Sequence, residues 1–198
     1  MGVTGAILAG GKSTRMKYNK AFAKLGDETI IETILQRFEL IFDETIIITN
    51  EPEEYEFLGM PLYTDIYVGL GPISGIHSAL TNSNNDTTFV LACDMPFVPQ
   101  NLIEYMLDRI KGYDTVVART KGFFQATSAA YHKSSLPVLT NCLENEKLKT
   151  TLIFREMKTK ILDEPELMQF GNLDEIFFNI NDEIALSNAQ ELARRFFK

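Results

Sequence analysis

Along this chain, apolar runs of strand length alternate with segments whose apolar positions recur at three-and-four spacing. That alternation predicts an α/β fold, a mainly parallel, Rossmann-like sheet between two helical layers (αβα). Residues 3–9 read as a first buried strand. Ile30, Ile31, Ile34, Leu35, Phe38 and Ile41 share one face of a helix predicted over 29–42. Strands follow at 44–49 and 62–64, the second ending at Asp65, and a loop with Gly69, Gly71, Pro72 and Gly75 leads into a helix through His77. Residues 87–93 form the most buried-looking strand. A helix at 99–110, strands at 114–118 and 125–131, helices at 134–143 and 148–155 and a strand at 160–162 continue the alternation. The chain then passes through a short apolar run, 177–180, into a helix over 182–197 with Asp182 as its N-cap. The polar stretch 82–86 reads as a surface turn.

Composition narrows the function classes. A chain of 198 residues, 45% hydrophobic and 23% charged, is predicted to fold as a single domain, residues 1–198. A net charge of -8 repels polyanions, so DNA and RNA are not expected partners, whereas a nucleotide needs only a few local cations and backbone N–H groups. Cys93 and Cys142 have no companions at zinc-ligand spacing and form no disulfide framework, which fits a reducing cytoplasm. Runs such as 46–48 and 89–93 are far too short for a bilayer, and the amino terminus lacks a signal pattern, so no membrane or export role is expected. Gly2 begins like a myristoylation site, but Ala6 stands where Ser or Thr is required.

The chemistry concentrates where the first strand ends. Leu8-Ala9-Gly10-Gly11-Lys12-Ser13-Thr14-Arg15-Met16 puts two glycines at a sharp turn, where bare backbone N–H groups can approach an anion. Lys12, Arg15, Lys17 and Lys20 add positive charge. Gly-Gly alone fits an ordinary strand-to-helix turn with solvated lysines; the density of cations favours a phosphate grip and, with it, a magnesium-dependent enzyme acting on a nucleoside triphosphate. The dinucleotide-binding glycine triplet is absent. A degenerate Walker pattern matches residues 6–13, but it would wrap Ile7, Leu8 and Ala9 around a phosphate when they read as buried strand.

With Lys20, this loop resembles the signature of the molybdenum cofactor guanylyltransferase family: Leu-Ala-Gly-Gly, three variable positions, Arg-Met-Gly, then Asp and Lys. The sequence departs from it twice. Lys17 stands where Gly is usual, and Asn19 stands where Asp is usual, keeping hydrogen bonding but losing a charge. Later motifs match in order: Gly71-Pro72-Ile73-Ser74-Gly75 is similar to the family's Gly-Pro-Leu-Ala-Gly turn, Cys93-Asp94-Met95-Pro96 to its Cys-Asp-Met-Pro metal motif, and Asn179-Ile180-Asn181 to its terminal Asn-x-Asn. The matches span nearly the whole chain.

The resemblance implies a nucleotidyltransferase-type fold and transfer of GMP from GTP to molybdenum-molybdopterin, with Mg²⁺ as cofactor. It implies nucleotide and substrate contacts at Leu8, Ala9, Gly10, Gly11, Lys20, Asn50, Asp65, Gly71, Asp94, Asn179 and Asn181, catalytic roles for Arg15, Lys20 and Asp94, and the metal on Asp94. Small-molecule substrates and molybdenum cofactor insertion and delivery proteins are the implied partners. Without the family, a carboxylate at the end of a buried strand lies where doubly wound sheets bind ligands, but Asp94 also reads as a helix N-cap before Pro96. Asp65 reads equally as a turn residue, and Asn181 as part of a helix cap. Asn179 and Asn181, two apart in an extended segment, project from one face with Ile180 on the other. His77 and His132 have no carboxylate within sequence reach and are not expected to be catalytic; Arg194, Arg195 and Lys198 complement a helix C-terminus. Competing functions on the same fold are a cytidylyl- or sugar-nucleotide transferase, whose loop commonly reads Leu-Ala-Ala-Gly, and a non-catalytic nucleotide-binding protein.

Overall fold

A computed structural model describes residues 2–10 and 19–197. Gly11, Lys12, Arg15, Met16, Lys17 and Lys198 lie outside the described residues. In chain order the elements are β1 (Val3–Leu8), β2 (Lys24–Leu25), β3 (Glu28–Thr29), α1 (Ile30–Ile41), β4 (Glu44–Ile48), β5 (Leu62–Tyr63), α2 (Pro72–Asn82), β6 (Thr87–Ala92), α3 (Gln100–Asp108), β7 (Thr115–Thr120), β8 (Phe123–His132), α4 (Leu136–Glu144), α5 (Thr150–Glu156), β9 (Thr159–Asp163), α6 (Glu164–Leu167), α7 (Leu173–Ile176) and α8 (Glu183–Phe196). Seven strands form one sheet in the order β5-β4-β1-β6-β8-β7-β9, while β2 and β3 pair separately. The sheet is parallel except at β8, which runs antiparallel to both β6 and β7.

Side-chain alternation divides the central strands between two cores. Ile7, Ile47, Phe89 and Leu91 face one core with Ile34 and Phe38 of α1, Met106 of α3 and Leu192 of α8. Leu8, Ile46, Ile48 and Val90 face the other, with Ile76 and Leu80 of α2, Leu143 of α4 and Ile153 of α5. Hence the three layers. Each fully buried aliphatic side chain contributes roughly 1.5–3 kcal/mol. Local signals set the helix ends: Thr29 and Glu32 form a reciprocal capping box before α1, and Asp182 accepts a 2.8 Å hydrogen bond from the Ala185 N–H at the start of α8. Arg194 and Arg195 occupy the last turn of α8, where cations oppose the helix dipole.

Some local expectations need correction. Residues 177–180 join no strand, and α6 and α7 occupy a stretch where no helix is predicted. The turn at 82–86 is not purely superficial, because Ser83 is buried with its hydroxyl 2.6 Å from that of Thr4. Strands β7 and β8 form one hairpin closed by Lys121 and Gly122, both with positive φ (51° and 79°), the conformation of a tight two-residue turn. Finally, α3 begins at Gln100 with Pro99 at its N-cap position, so Asp94 caps no helix there.

Candidate functional site

Because the chain enters the sheet at its middle, moves outward to β4 and β5, and then returns to the opposite side of β1, connections diverge between β1 and β6. A crevice at the carboxyl ends of the strands is where such sheets bind ligands. The described candidates converge there: Gly10 follows β1, Asn50 follows β4, Asp65 follows β5 and Asp94 follows β6. Backbone bonds hold these ends in register beyond the strands, with the Ala9 N–H donating to the Ile48 carbonyl at 2.9 Å and the Cys93 N–H to the Leu8 carbonyl at 3.0 Å. Ile7, Leu8 and Ala9 are buried, with Ile7 and Leu8 inside β1, which removes the Walker reading.

At this crevice the Lys20 ammonium and Asp94 Oδ2 lie 2.6 Å apart, with side chains only 18% and 17% exposed. Lys20 opens a short 3-10 helix, Lys20–Phe22, whose N-cap is Asn19. Asp94 sits in a turn in which the Met95 N–H donates to the Ala92 carbonyl at 3.0 Å. Across the crevice, Asn50 and Asp65 clasp one another: the Asn50 amide donates to Asp65 Oδ2 at 2.9 Å, and the Asp65 N–H donates to Asn50 Oδ1 at 3.1 Å. Gly71, at φ 76° and ψ -162°, starts α2 in a conformation that disfavours side chains. Gly75 lets α2 approach the site, since a Cβ there would meet both Leu8 methyls at 3.2 Å and Asp65 Oδ1 at 3.7 Å.

Asn179 and Asn181 are both exposed, flanking a buried Ile180. The Ile180 N–H donates to the Asp94 main-chain carbonyl at 3.0 Å, bringing the Asn-x-Asn segment to the Asp94 turn without a strand. Asn179 also lines a cavity of about 390 Å³ with Gln125, Phe123 and Phe178.

Other functional groups give no sequence signal. Arg37 on α1 donates to the Pro96 and Val98 carbonyls, the latter at 2.8 Å, and burial pulls its guanidinium down to about 10. Its partners are main-chain oxygens from a distant loop, which no spacing rule encodes. The Asn19 amide donates to Glu54 at 2.6 Å and to the Tyr55 hydroxyl at 2.8 Å. Burial, then the neighbouring Asp94 charge, pushes the Cys93 thiol up to about 12, which favours the neutral thiol over the thiolate. His77 on α2 bonds Thr140 of α4 at 3.1 Å, and burial lowers its basicity. His132 bonds Ser134 at 2.9 Å.

Residues 5–159 match the model of the MobA-like NTP transferase domain. A Clostridium perfringens protein named probable molybdenum cofactor guanylyltransferase is 38% identical over 179 residues, covering 89% of this chain and 90% of its own. The chain belongs to the molybdenum cofactor guanylyltransferase family. A second member of that family, from Carboxydothermus hydrogenoformans and carrying the same name, is 35% identical over 90% of both chains. The crystal structure of molybdopterin-guanine dinucleotide biosynthesis protein A from Archaeoglobus fulgidus superposes with a TM-score of 0.83 at 24% identity, over 97% of this chain and 99% of that one. The family fold is therefore this three-layer, mainly parallel sheet. None of the helices among the described residues is long and apolar enough to cross a membrane.

Proposed function

We propose that the protein transfers GMP from GTP to the terminal phosphate of molybdenum-molybdopterin, releasing pyrophosphate and giving the molybdopterin guanine dinucleotide cofactor. Family membership supports the reaction class. The observation that carries the assignment to this crevice is the 2.6 Å pair that Lys20 makes with Asp94, just beyond the carboxyl end of β6.

In this reading the backbone after Leu8 and Ala9, through Gly10 and Gly11, receives the triphosphate, while Lys20 and Arg15 neutralise the charge that builds on the transferring phosphoryl group. Asn50 and Asp65 take the guanosine end, and Gly71 keeps the mouth of α2 clear of side chains. The attacking phosphate oxygen is already an anion near neutral pH, so no general base is needed; a bond forms from it to the α-phosphorus as the bond to the pyrophosphate oxygen breaks. Catalysis is then positioning plus charge neutralisation. Asn179 and Asn181 face the acceptor.

Among the described residues, no cluster of three His, Cys, Asp or Glu side chains suits a metal. A single carboxylate nonetheless fits Mg²⁺, which takes one or two carboxylates along with water and substrate phosphates. Asp94 is that carboxylate, with Oδ2 engaged by Lys20 and no hydrogen bond to Oδ1 among the described residues. When bound, Mg²⁺ supplies charge stabilisation at the phosphates. We place the reaction in the cytoplasm, in a single domain that hands its product to insertion and delivery proteins.

The test is pyrophosphate release by the purified protein with GTP, Mg²⁺ and molybdopterin, omitting each in turn. Release only when all three are present is expected. Preference for CTP in competition would instead indicate a cytidylyltransferase, and GTP binding without release a non-catalytic binder.

A further inference from the structure

Asn19 stands at the one described position where the nucleotide loop departs from the family pattern, and its surroundings explain the amide. Its Oδ1 accepts a 3.1 Å hydrogen bond from the Ala21 N–H, capping the short helix that begins with Lys20. An aspartate would do that equally well, since Asp and Asn are comparable N-caps. The other end of the side chain differs. Nδ2 donates at 2.6 Å to Glu54 Oε2 and at 2.8 Å to the hydroxyl of Tyr55, which is 1% exposed. An aspartate there would set one carboxylate against another, an arrangement in which both cannot stay ionised without cost. Only a side chain with one acceptor and one donor end satisfies the helix cap and Glu54 together.

Glu54 and Tyr55 follow closely on Asn50, and Phe22 packs on Tyr55 and Phe57 with ring centroids 5.0 and 5.6 Å apart. The Asn19 amide therefore joins two halves of the crevice, the Lys20 side and the segment carrying Asn50. We infer that Asn19 is a positioning residue matched to Glu54: its amide fixes Lys20 toward Asp94 by tying the loop's end to the segment behind Asn50. This rests on the proposed nucleotidyl transfer.

The matched pair makes a specific prediction for Asn19→Asp. Among the described residues, Asn19 itself contacts Glu54 and Tyr55, and the charged and titratable groups acting on the adjoining Tyr55 and Cys93 are Glu51, Glu54, Asp94 and Lys20. Of these, Glu54 is the carboxylate in direct contact with the amide's donor end, so it is the group that a carboxylate introduced at position 19 would face. Relative to wild type at each pH, kcat of Asn19→Asp should fall about tenfold at pH 8, a loss of the size that misplaced catalytic groups produce. The ratio should recover as pH falls and one proton is shared between the two carboxylates. Adding Glu54→Gln to the same chain should restore it at pH 8, because the Gln amide can donate to the introduced carboxylate where Glu cannot. The measurements are kcat and KM for GTP from pH 5.5 to 8.5, with Tm for each variant. A wild-type ratio at every pH, a loss that is pH-independent and not rescued by Glu54→Gln, or a loss that merely follows Tm would each overturn the inference. Absence of turnover in the wild type would instead overturn the proposed function, so the two failures are distinguishable.

Discussion

Two close ion pairs sit at opposite ends of this molecule's logic. Arg119 and Asp163 face one another in register across β7 and β9, with two parallel contacts of 2.7 and 2.9 Å, and the hydrogen bond to Asp163, then its charge, raises the guanidinium's basicity. Lys20 and Asp94 make one contact of 2.6 Å between segments that have both left the sheet. By geometry alone the arginine pair is better. Yet its side chains are 40% and 51% exposed, whereas those of Lys20 and Asp94 are 18% and 17% exposed. Water and salt screen the first pair, and neighbouring strand pairing already fixes its geometry. The second lies at the crevice where the connections leaving β1 and β6 diverge, where desolvation strengthens electrostatics and where ligand charge can replace a partner. In the proposed reaction, location at the switch point, rather than ideality of the contact, gives Lys20–Asp94 a role that Arg119–Asp163 lacks.

Substitutions can break this comparison, and the largest effect belongs to Asp94. Asp94→Asn should lower Mg²⁺-dependent pyrophosphate release by about 10³-fold, the scale of losing a preorganised charged group at a phosphoryl centre. Tm should fall by no more than about 4 °C, because Asp94 caps no helix and stability lost from one half-buried contact is small for a chain this size. Retained turnover would remove Asp94 from the mechanism. Lys20→Ala should cost about 10²-fold in kcat, with nucleotide affinity less affected, since its charge matters most as negative charge builds on the transferring group. An equal loss in KM alone would make Lys20 a ground-state anchor.

Arg37→Met tests how the Asp94 turn is supported. Replacement leaves the buried Pro96 and Val98 carbonyls without their donor, each such group costing about 1–3 kcal/mol, so urea unfolding should show a loss of roughly 2–4 kcal/mol. A smaller loss would mean that the loop finds other donors. This residue also marks the limit of what can be read from sequence. The strand ends are legible because alternation fixes β1, β4 and β6, and so the loops after them, where Gly10, Asn50 and Asp94 lie. Local rules likewise yield the cap at Asp182, whereas the helix predicted over 29–42 takes in Thr29, which is its cap. Arg37 is not legible, because its helix position fixes a face but not the carbonyls of a loop contributed by another part of the chain. The same holds for Asn19, whose departure from the family pattern acquires meaning only once Glu54 is seen beside it. Asn179-Ile180-Asn181 reads as two amides on one face with Ile180 on the other, and the structure exposes both asparagines and buries Ile180, but its tether, the Asp94 carbonyl, is a tertiary hydrogen bond with no sequence period. Helices α6 and α7 escape notice because four residues are too few to display a helical period.

The smallest expected effect is the other half of the comparison. Arg119→Ala removes both contacts to Asp163 and a guanidinium 6.0 Å from the Phe124 ring centroid. Because Asp163 is half exposed, its carboxylate can rehydrate when the arginine is gone, so no buried charge is stranded. Strand β9 stays paired with β7 from Thr115 to Arg119 through its backbone, which the substitution leaves intact. The urea midpoint at physiological salt should therefore be indistinguishable from wild type, and kcat and KM for GTP unchanged. A difference that appears only at low ionic strength would identify a screened surface attraction. If Arg119→Ala instead reduced turnover as strongly as Lys20→Ala, the divide between the crevice and the outer strands would fail, and the hairpin carrying Phe123 and Gln125 would have to be counted part of the reacting centre.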